Sequence, residues 1–263
     1  MELETISKKV TVPLQRFYDS SGRCYELCID EAGRGCLFGR VYVACVVLPK
    51  DPLHFCGKDI KDSKKFSSKK KLGEVANQIK NTALAWHVAY LDEKTIDNLN
   101  ILQSVMRGMH ECIRETIKKV IEKTEISTDH VVDNFMALVD GNYFNPYFLY
   151  DNNTESMKQL PHVTVEHGDA SYMGIAAASI LAKHARDEYV IEMCKTYPEL
   201  SHRYGLETNM GYGTKTHLSG IQEHGISQWH RRTFGSACKN AVLREICVDP
   251  TESHEKEDAS DLG

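Results

Sequence analysis

The chain has 263 residues, 41% of them hydrophobic and 26% charged, with a formal net charge of −5. That length allows one large domain or two modest ones with a real core. No apolar run reaches the roughly 18 residues of a membrane span, and the opening MELETISKKVTVP lacks the apolar segment of a secretory signal.

The charge is uneven. Residues 249–263 hold six acids and one lysine, which is −5, and the other 248 residues carry 31 charges of each sign. Against that neutral background residues 58–71 (KDIKDSKKFSSKKK) hold seven lysines and two aspartates, and His230, Arg231 and Arg232 form a second basic spot. Such patches suit a phosphate backbone, although a solvated lysine face looks the same in composition. Nine cysteines, an odd number without a C-x-x-C pair, point to free thiols in a reducing, cytoplasmic compartment. A zinc site has little support, because Cys24 and Cys28 lie on a strand approach rather than a knuckle.

In chain order, residues 1–22 read as a polar extension, ordered only in part. Residues 23–29 and 41–48 are β-branched apolar runs and are expected to be strands. Between them lie Asp30, Glu31 and a flexible, basic turn containing Gly33, Arg34, Gly35 and Gly39. Pro49, Pro52 and Gly57 mark a loop leading into the lysines. Ser68 can cap a helix to about residue 82, with Leu72, Val75, Ala76 and Ile79 on its inner face. Residues 83–90 suggest a strand, and residues 96–121 one long amphipathic helix. Residues 130–139 end in Asp140-Gly141, and 163–166 form a short strand before His167-Gly168-Asp169. Residues 172–197 are strong helix formers. Residues 205–235 are glycine-spaced and histidine-rich, and read as a small helical extension over the substrate side. The alternation of strands and helices predicts an α/β fold.

Asp30, Glu31, Asp140 and Asp169 each sit at or just past an apolar segment. Acids at separate strand ends of such a sheet converge on one crevice. Adjacent carboxylates repel unless a cation or proton lies between them, and a divalent, oxygen-seeking ion is the usual solution. Two-metal phosphoryl chemistry requires such a cluster around ions about 4 Å apart. The alternative is ordinary turn chemistry, since Asp and Glu before glycine are common in turns.

DEAGRG at residues 30–35 resembles the first motif of the ribonuclease HII (type 2 ribonuclease H) family. Asp62-Ser63-Lys64-Lys65 is similar to its DSK motif, IDNLNILQSVMRGM to its central helix, and Asp140-Gly141 to its VDG motif. Asp169, followed by GIAAASILAKHARD, resembles the segment with the fourth acid. GYGTKTH and HRRTF, within 211–234, resemble the C-terminal pattern. The likeness runs in order through residues 23–235.

The resemblance implies a ribonuclease H-like mixed sheet flanked by helices, with a small helical C-terminal extension. It divides the chain into an extension (1–22), a catalytic domain (23–198), a helical substrate-binding region (199–248) and an acidic disordered tail (249–263). Asp30, Glu31, Asp140 and Asp169 would bind two Mg²⁺ or Mn²⁺ ions. Gly33, Arg34 and Gly35 would approach the ribose 2′-hydroxyl, which both donates and accepts hydrogen bonds. Ser63 and Lys64 would contact phosphates, and Tyr212 would stack on the sugar at the RNA–DNA junction. His184 and His217 receive no role, and Arg186 and Asp187 are expected to tie their helix to its neighbours.

Three departures bear on substrate affinity. CLFGR, at 36–40, lacks two family prolines, which should loosen the loop while Arg40 adds a phosphate contact. Met210 and His167 stand where lysines are usual. The implied activity is hydrolysis of the RNA strand of RNA–DNA hybrids and incision 5′ of single ribonucleotides in duplex DNA, by a single chain. A type 3 hybrid nuclease is one rival, opposed by the GRG turn and by the roughly 22 residues before the first strand. A silent hybrid-binding protein is the other, opposed by the intact acids.

Overall fold

Seven consecutive residues of the strand β2 (Val41–Val47, VYVACVV) are buried, so both faces of this strand are covered. It belongs to a five-stranded sheet in the order β3-β2-β1-β4-β7, with β1 at Tyr25–Ala32, β3 at Ala85–Leu91, β4 at Phe135–Asp140 and β7 at His162–Val165. β1 is antiparallel to β2 and parallel to β4, and β4 is parallel to β7. The expected mixed α/β sheet is present.

The computed structural model describes residues 13–21, 24–55, 57–61, 63–66, 68–124, 126 and 131–247. Residues 1–12, Arg23, Cys56, Asp62, His130 and the acidic segment 249–263 lie outside them. The polar extension is tied down from residue 13 onward. Gln15 pairs with Tyr172, exchanging backbone bonds with Ser171 and Met173, and Arg16 donates to the Phe55 and Pro49 carbonyls.

The chain separates into two units, one of residues 1–32, 42–90 and 105–184 and the other of 33–41, 91–104 and 185–263. In the first, α1 (Lys69–Thr82) forms as expected: the Ser68 hydroxyl accepts from the Lys71 amide, and Leu72, Val75, Ala76 and Ile79 are buried. α5 (Met173–Thr196) opens apolar on all sides, with residues 175–178 and 180–182 fully buried. Its Gly174 presses on Cys28 of β1 so closely that a Cβ would overlap the sulfur.

Two local departures are instructive. The expected helix over 96–121 is two helices, α2 (Glu93–Leu99) and α3 (Ile101–Thr124), divided at Asn100. Asn100 has φ 71°; its amide closes α2 on the Ile96 carbonyl and its side chain accepts from the Gln103 amide at 3.0 Å. Asparagine caps helices, so one residue serves both ends, and its φ of 71° with ψ of 164° is a backbone geometry that favours glycine. A one-turn helix, α4 (Val131–Asn134), precedes β4. β5 (Phe148–Asp151) and β6 (Ser156–Gln159) form an unanticipated antiparallel ribbon. Asp151 closes it by accepting from the Asn153 and Thr154 amides and pairing with Lys158 at 2.7 Å.

The second unit is helical, with α6 (Pro198–Tyr204), α7 (Leu206–Asn209), α8 (Lys215–His224) and α9 (Gly235–Lys239). They close over Phe38, Val190, Leu200, Tyr204, Leu206 and Ile221.

Candidate active site

The four acids belong to the first unit. Asp30 and Glu31 lie within β1, not beyond it, because the strand continues to Ala32 against β2. The parallel register pairs Ile29 with Val139, which brings Asp30 and Asp140 to the same end of adjacent strands. Asp140 in turn pairs with Val165 on β7. After β7 the chain bends through His167, at φ 57°, into a 3₁₀ turn, Gly168–Ala170, carrying Asp169. The Gly168 amide donates to Asp140 Oδ1 at 2.7 Å, so the turn bearing the fourth acid also fixes the third.

Charge couples these groups. Burial holds Asp30 well above the usual carboxylate range, and the charges of Glu31 and Asp140 push it further. Asp140 is raised by burial and by Asp169, against the opposing bond from the Gly168 amide. The acids are therefore neighbours in series, Glu31–Asp30–Asp140–Asp169. Among the described residues no three His, Cys, Asp or Glu side chains already encircle a point where a metal would sit. The Lys64 ammonium lies 3.6 Å from Asp169 Oδ2, an ion pair at that end of the series. An all-oxygen set that repels itself fits a hard divalent cation.

Ser63 is buried, its hydroxyl 2.9 Å from that of Ser179 on α5. Ser179 favours the ionised form of Asp30. The Ser63 hydroxyl thus faces the protein, and Lys64 is the exposed member of the pair. The lysines at 58, 61, 64 and 69–71 are exposed, as the composition suggested.

The glycine turn belongs to the second unit, where it is stapled rather than loose. Cys36 and Phe38 are fully buried. The Leu37 amide donates to the Gly211 carbonyl at 2.9 Å, and the Gly39 amide to that of Trp229 at 2.8 Å. Arg231 donates from Nε to the Gly39 carbonyl at 2.8 Å and from Nη1 to that of Arg34 at 3.0 Å. Gly33, at φ +89°, lies against the Arg186 side chain with no room for a Cβ. Arg34 and Gly35 are exposed at the tip. Arg40 stacks on Tyr189, 4.5 Å from the ring centre.

The second basic spot is a correction of the same kind. His230 and Arg231 are buried, and burial lowers His230 to about 3 and Arg231 to about 10. Only Arg232 of the three is exposed. Asp97 of α2 accepts from the Arg232 and Thr233 amides at 2.9 and 3.0 Å, joining the IDNLN stretch to HRRTF. Tyr212 is about half exposed, with the Arg186 guanidinium 5.7 Å from its ring centre and its hydroxyl beside the Cys36 thiol.

A family model described as Ribonuclease HII matches residues 27–237. This chain belongs to the ribonuclease HII family. The ribonuclease HII of Parabacteroides distasonis is 40% identical over 82% of this chain and 92% of that relative. That of Bacteroides thetaiotaomicron is 38% identical over 78% and 86%. The ribonuclease H2 of Pyrococcus horikoshii, 19% identical, has the same fold, with a TM-score of 0.54 over 82% of this chain and 95% of the other.

Within this ribonuclease HII chain, two buried arginines do more than the sequence suggests. Arg186 was assigned only to tying its helix down, and Arg231 to a surface patch. The available signal was spacing: Arg186 follows Ile175, Ser179 and Ala182 along one helix stripe that is otherwise small or apolar. At the Met210 departure the side chain is buried and the backbone has φ 51°, so the position serves packing and a turn.

Proposed function

We propose that Asp30, Glu31, Asp140 and Asp169 hold two divalent ions, Mg²⁺ or Mn²⁺, and that the enzyme incises on the 5′ side of single ribonucleotides embedded in duplex DNA. As a ribonuclease HII, the chain is a metal-dependent endoribonuclease that hydrolyses the RNA strand in RNA–DNA hybrids and at embedded ribonucleotides. The observation that carries the metal assignment is the register that brings Asp30 of β1 and Asp140 of β4 to the same end of adjacent strands, with the turn that bears Asp169 bonded to Asp140. Bound ions supply an activated water and neutralise charge at the departing 3′ oxygen. The chain's own residues do the rest. Ser179 and the Glu31 amide, 2.7 Å from Asp30 Oδ1, orient Asp30 and partly offset the rise that burial imposes on its pKa, and Gly168 does the same for Asp140. Lys64 and the neighbouring lysines attract the phosphate backbone.

Gly33, Arg34 and Gly35 are read as the turn that meets the ribose, with Tyr212 stacking on the sugar at the junction. The staples from Arg231 to the turn's carbonyls support this reading, because they rigidify a backbone that glycine would leave mobile. Residues 199–248 are read as the substrate-binding region, and the enzyme as a single chain acting in a reducing cytoplasm. None of the eight cysteines among the described residues forms a disulfide. No helix among the described residues is long and apolar enough to cross a membrane.

The test is cleavage of a labelled duplex carrying one ribonucleotide, with Mg²⁺ or Mn²⁺, beside a continuous hybrid and an all-DNA duplex. Incision only 5′ of the ribonucleotide is expected, with Asp30→Asn at least about 100-fold slower. Hybrid cleavage without junction incision would move the protein to a type 3 specificity. Binding without any cleavage would make it a silent hybrid binder.

A further inference from the structure

Two buried histidines lie one behind the other under Tyr212, and their bonding admits a single assignment of protons. His230 Nδ1 is 3.0 Å from the Ser227 amide, which can only donate, so Nδ1 is an acceptor and carries no proton. The Ser227 hydroxyl, 2.8 Å away, points at the same nitrogen. In the neutral ring the proton is then on Nε2, which faces His217 Nε2 at 3.0 Å and donates to it. His217 must accept there, which places its own proton on Nδ1, 3.0 Å from the Tyr212 carbonyl oxygen. A charged ring at either position would set N–H against N–H or against the Ser227 donor. Both rings are buried against Tyr204, with centroids 4.7 and 5.9 Å from the tyrosine ring, and burial lowers both pKa values.

The end of this chain of bonds is informative. Tyr212 lies between Gly211 and Gly213, so its own backbone supplies little rigidity. Its carbonyl takes the Thr214 amide at 2.8 Å and the His217 ring, which occupies both lone pairs. The rest of the tyrosine, by contrast, is half exposed.

We infer that His217 and His230 are a neutral, tautomer-locked pair that holds Tyr212 in place through its backbone carbonyl, and are thus positioning residues for junction recognition. This rests on the reading of Tyr212 as the residue that meets the ribose.

The experiment is a cycle of full-length variants on the single-ribonucleotide duplex: Tyr212→Ala, His217→Ala, both together, and His217→Asn. In the last, the amide N–H replaces Nδ1–H. His217→Ala is expected to lower kcat/KM about tenfold, mainly in kcat, and His217→Asn to restore most of it. In the Tyr212→Ala background His217→Ala is expected to add less than about twofold. Equal losses in both backgrounds, or none in either, would overturn the positioning role while leaving Tyr212's role intact. A Tyr212→Ala enzyme with normal junction incision would overturn the reading of Tyr212 itself. On the unmodified protein, imidazole ¹⁵N spectra at neutral pH are expected to show His230 protonated only at Nε2 and His217 only at Nδ1. A charged ring, or the opposite tautomer, would overturn the pair.

Discussion

Asp30 is a buried carboxylate with two acids for neighbours, and Lys64 pairs with Asp169 at the far end of the series. Its charge costs stability until a cation arrives. Asp30→Asn keeps the shape and removes one of the repelling charges. Without divalent ions the variant is expected to be more stable by about 1 kcal/mol, a rise in Tm of about 2–4 °C. With Mn²⁺ the order should reverse, because ligand binding stabilises only the protein that binds. Thermal melts in chelator and in Mn²⁺ measure both; an identical metal response in the two proteins would remove Asp30 from the ligand set. At this scale the acids were legible because two adjacent carboxylates at a strand end have few structural uses. Arg186 and Arg231 were not, because their partners are backbone carbonyls at positions 34, 38 and 39, and carbonyls leave no mark in a sequence.

Among the elements, α1 was readable to its first residue because its cap and apolar stripe are both local. The division of α2 from α3 was not, since the apolar period runs on across Asn100 and only the backbone reverses. Asn100→Gly should be nearly neutral, whereas Asn100→Ala should cost about 1–2 kcal/mol, from the lost cap and the positive-φ strain. Chemical denaturation would measure the difference, and equal stabilities would mean that neither cap nor φ matters there. The β5–β6 ribbon escaped because each strand is only four residues long. Its one signal was the acid-amide turn Asp151-Asn152-Asn153-Thr154. The glycine turn was placed correctly in sequence but misjudged in stiffness. Prolines stiffen a loop from within, whereas here the stiffness comes from Gly211, Trp229 and Arg231, more than 170 residues further along the chain.

Over the whole molecule, acid sensitivity follows from the buried imidazoles. Unfolded histidine takes a proton near pH 6.5, but folded His230 resists protonation until about pH 3. The unfolded state therefore binds more protons across that window, and stability falls as pH drops through it. One such site contributes a slope of up to about 1.4 kcal/mol per pH unit. Asp30 and Asp140, raised in the fold, act in the opposite sense, so the comparison must isolate the histidine. Urea unfolding of His230→Asn between pH 6 and 5 should show a shallower dependence than the unmodified protein. Parallel slopes would rule out a neutral, buried His230. Composition gave no access to this effect, because twelve histidines in 263 residues look alike until burial separates them.

The parallel pairing of β1 with β4 also sets a timetable for biosynthesis. Tyr25 lies opposite Phe135, so 110 residues separate the partners. At about 5–20 residues per second on the ribosome, β1 waits roughly 6–20 s for its neighbour. Meanwhile β2 can protect only one of its edges. Until β4 emerges, the nascent chain holds an apolar strand open on one edge, with Asp30 and Glu31 near its end, two charges that resist burial against a wrong partner.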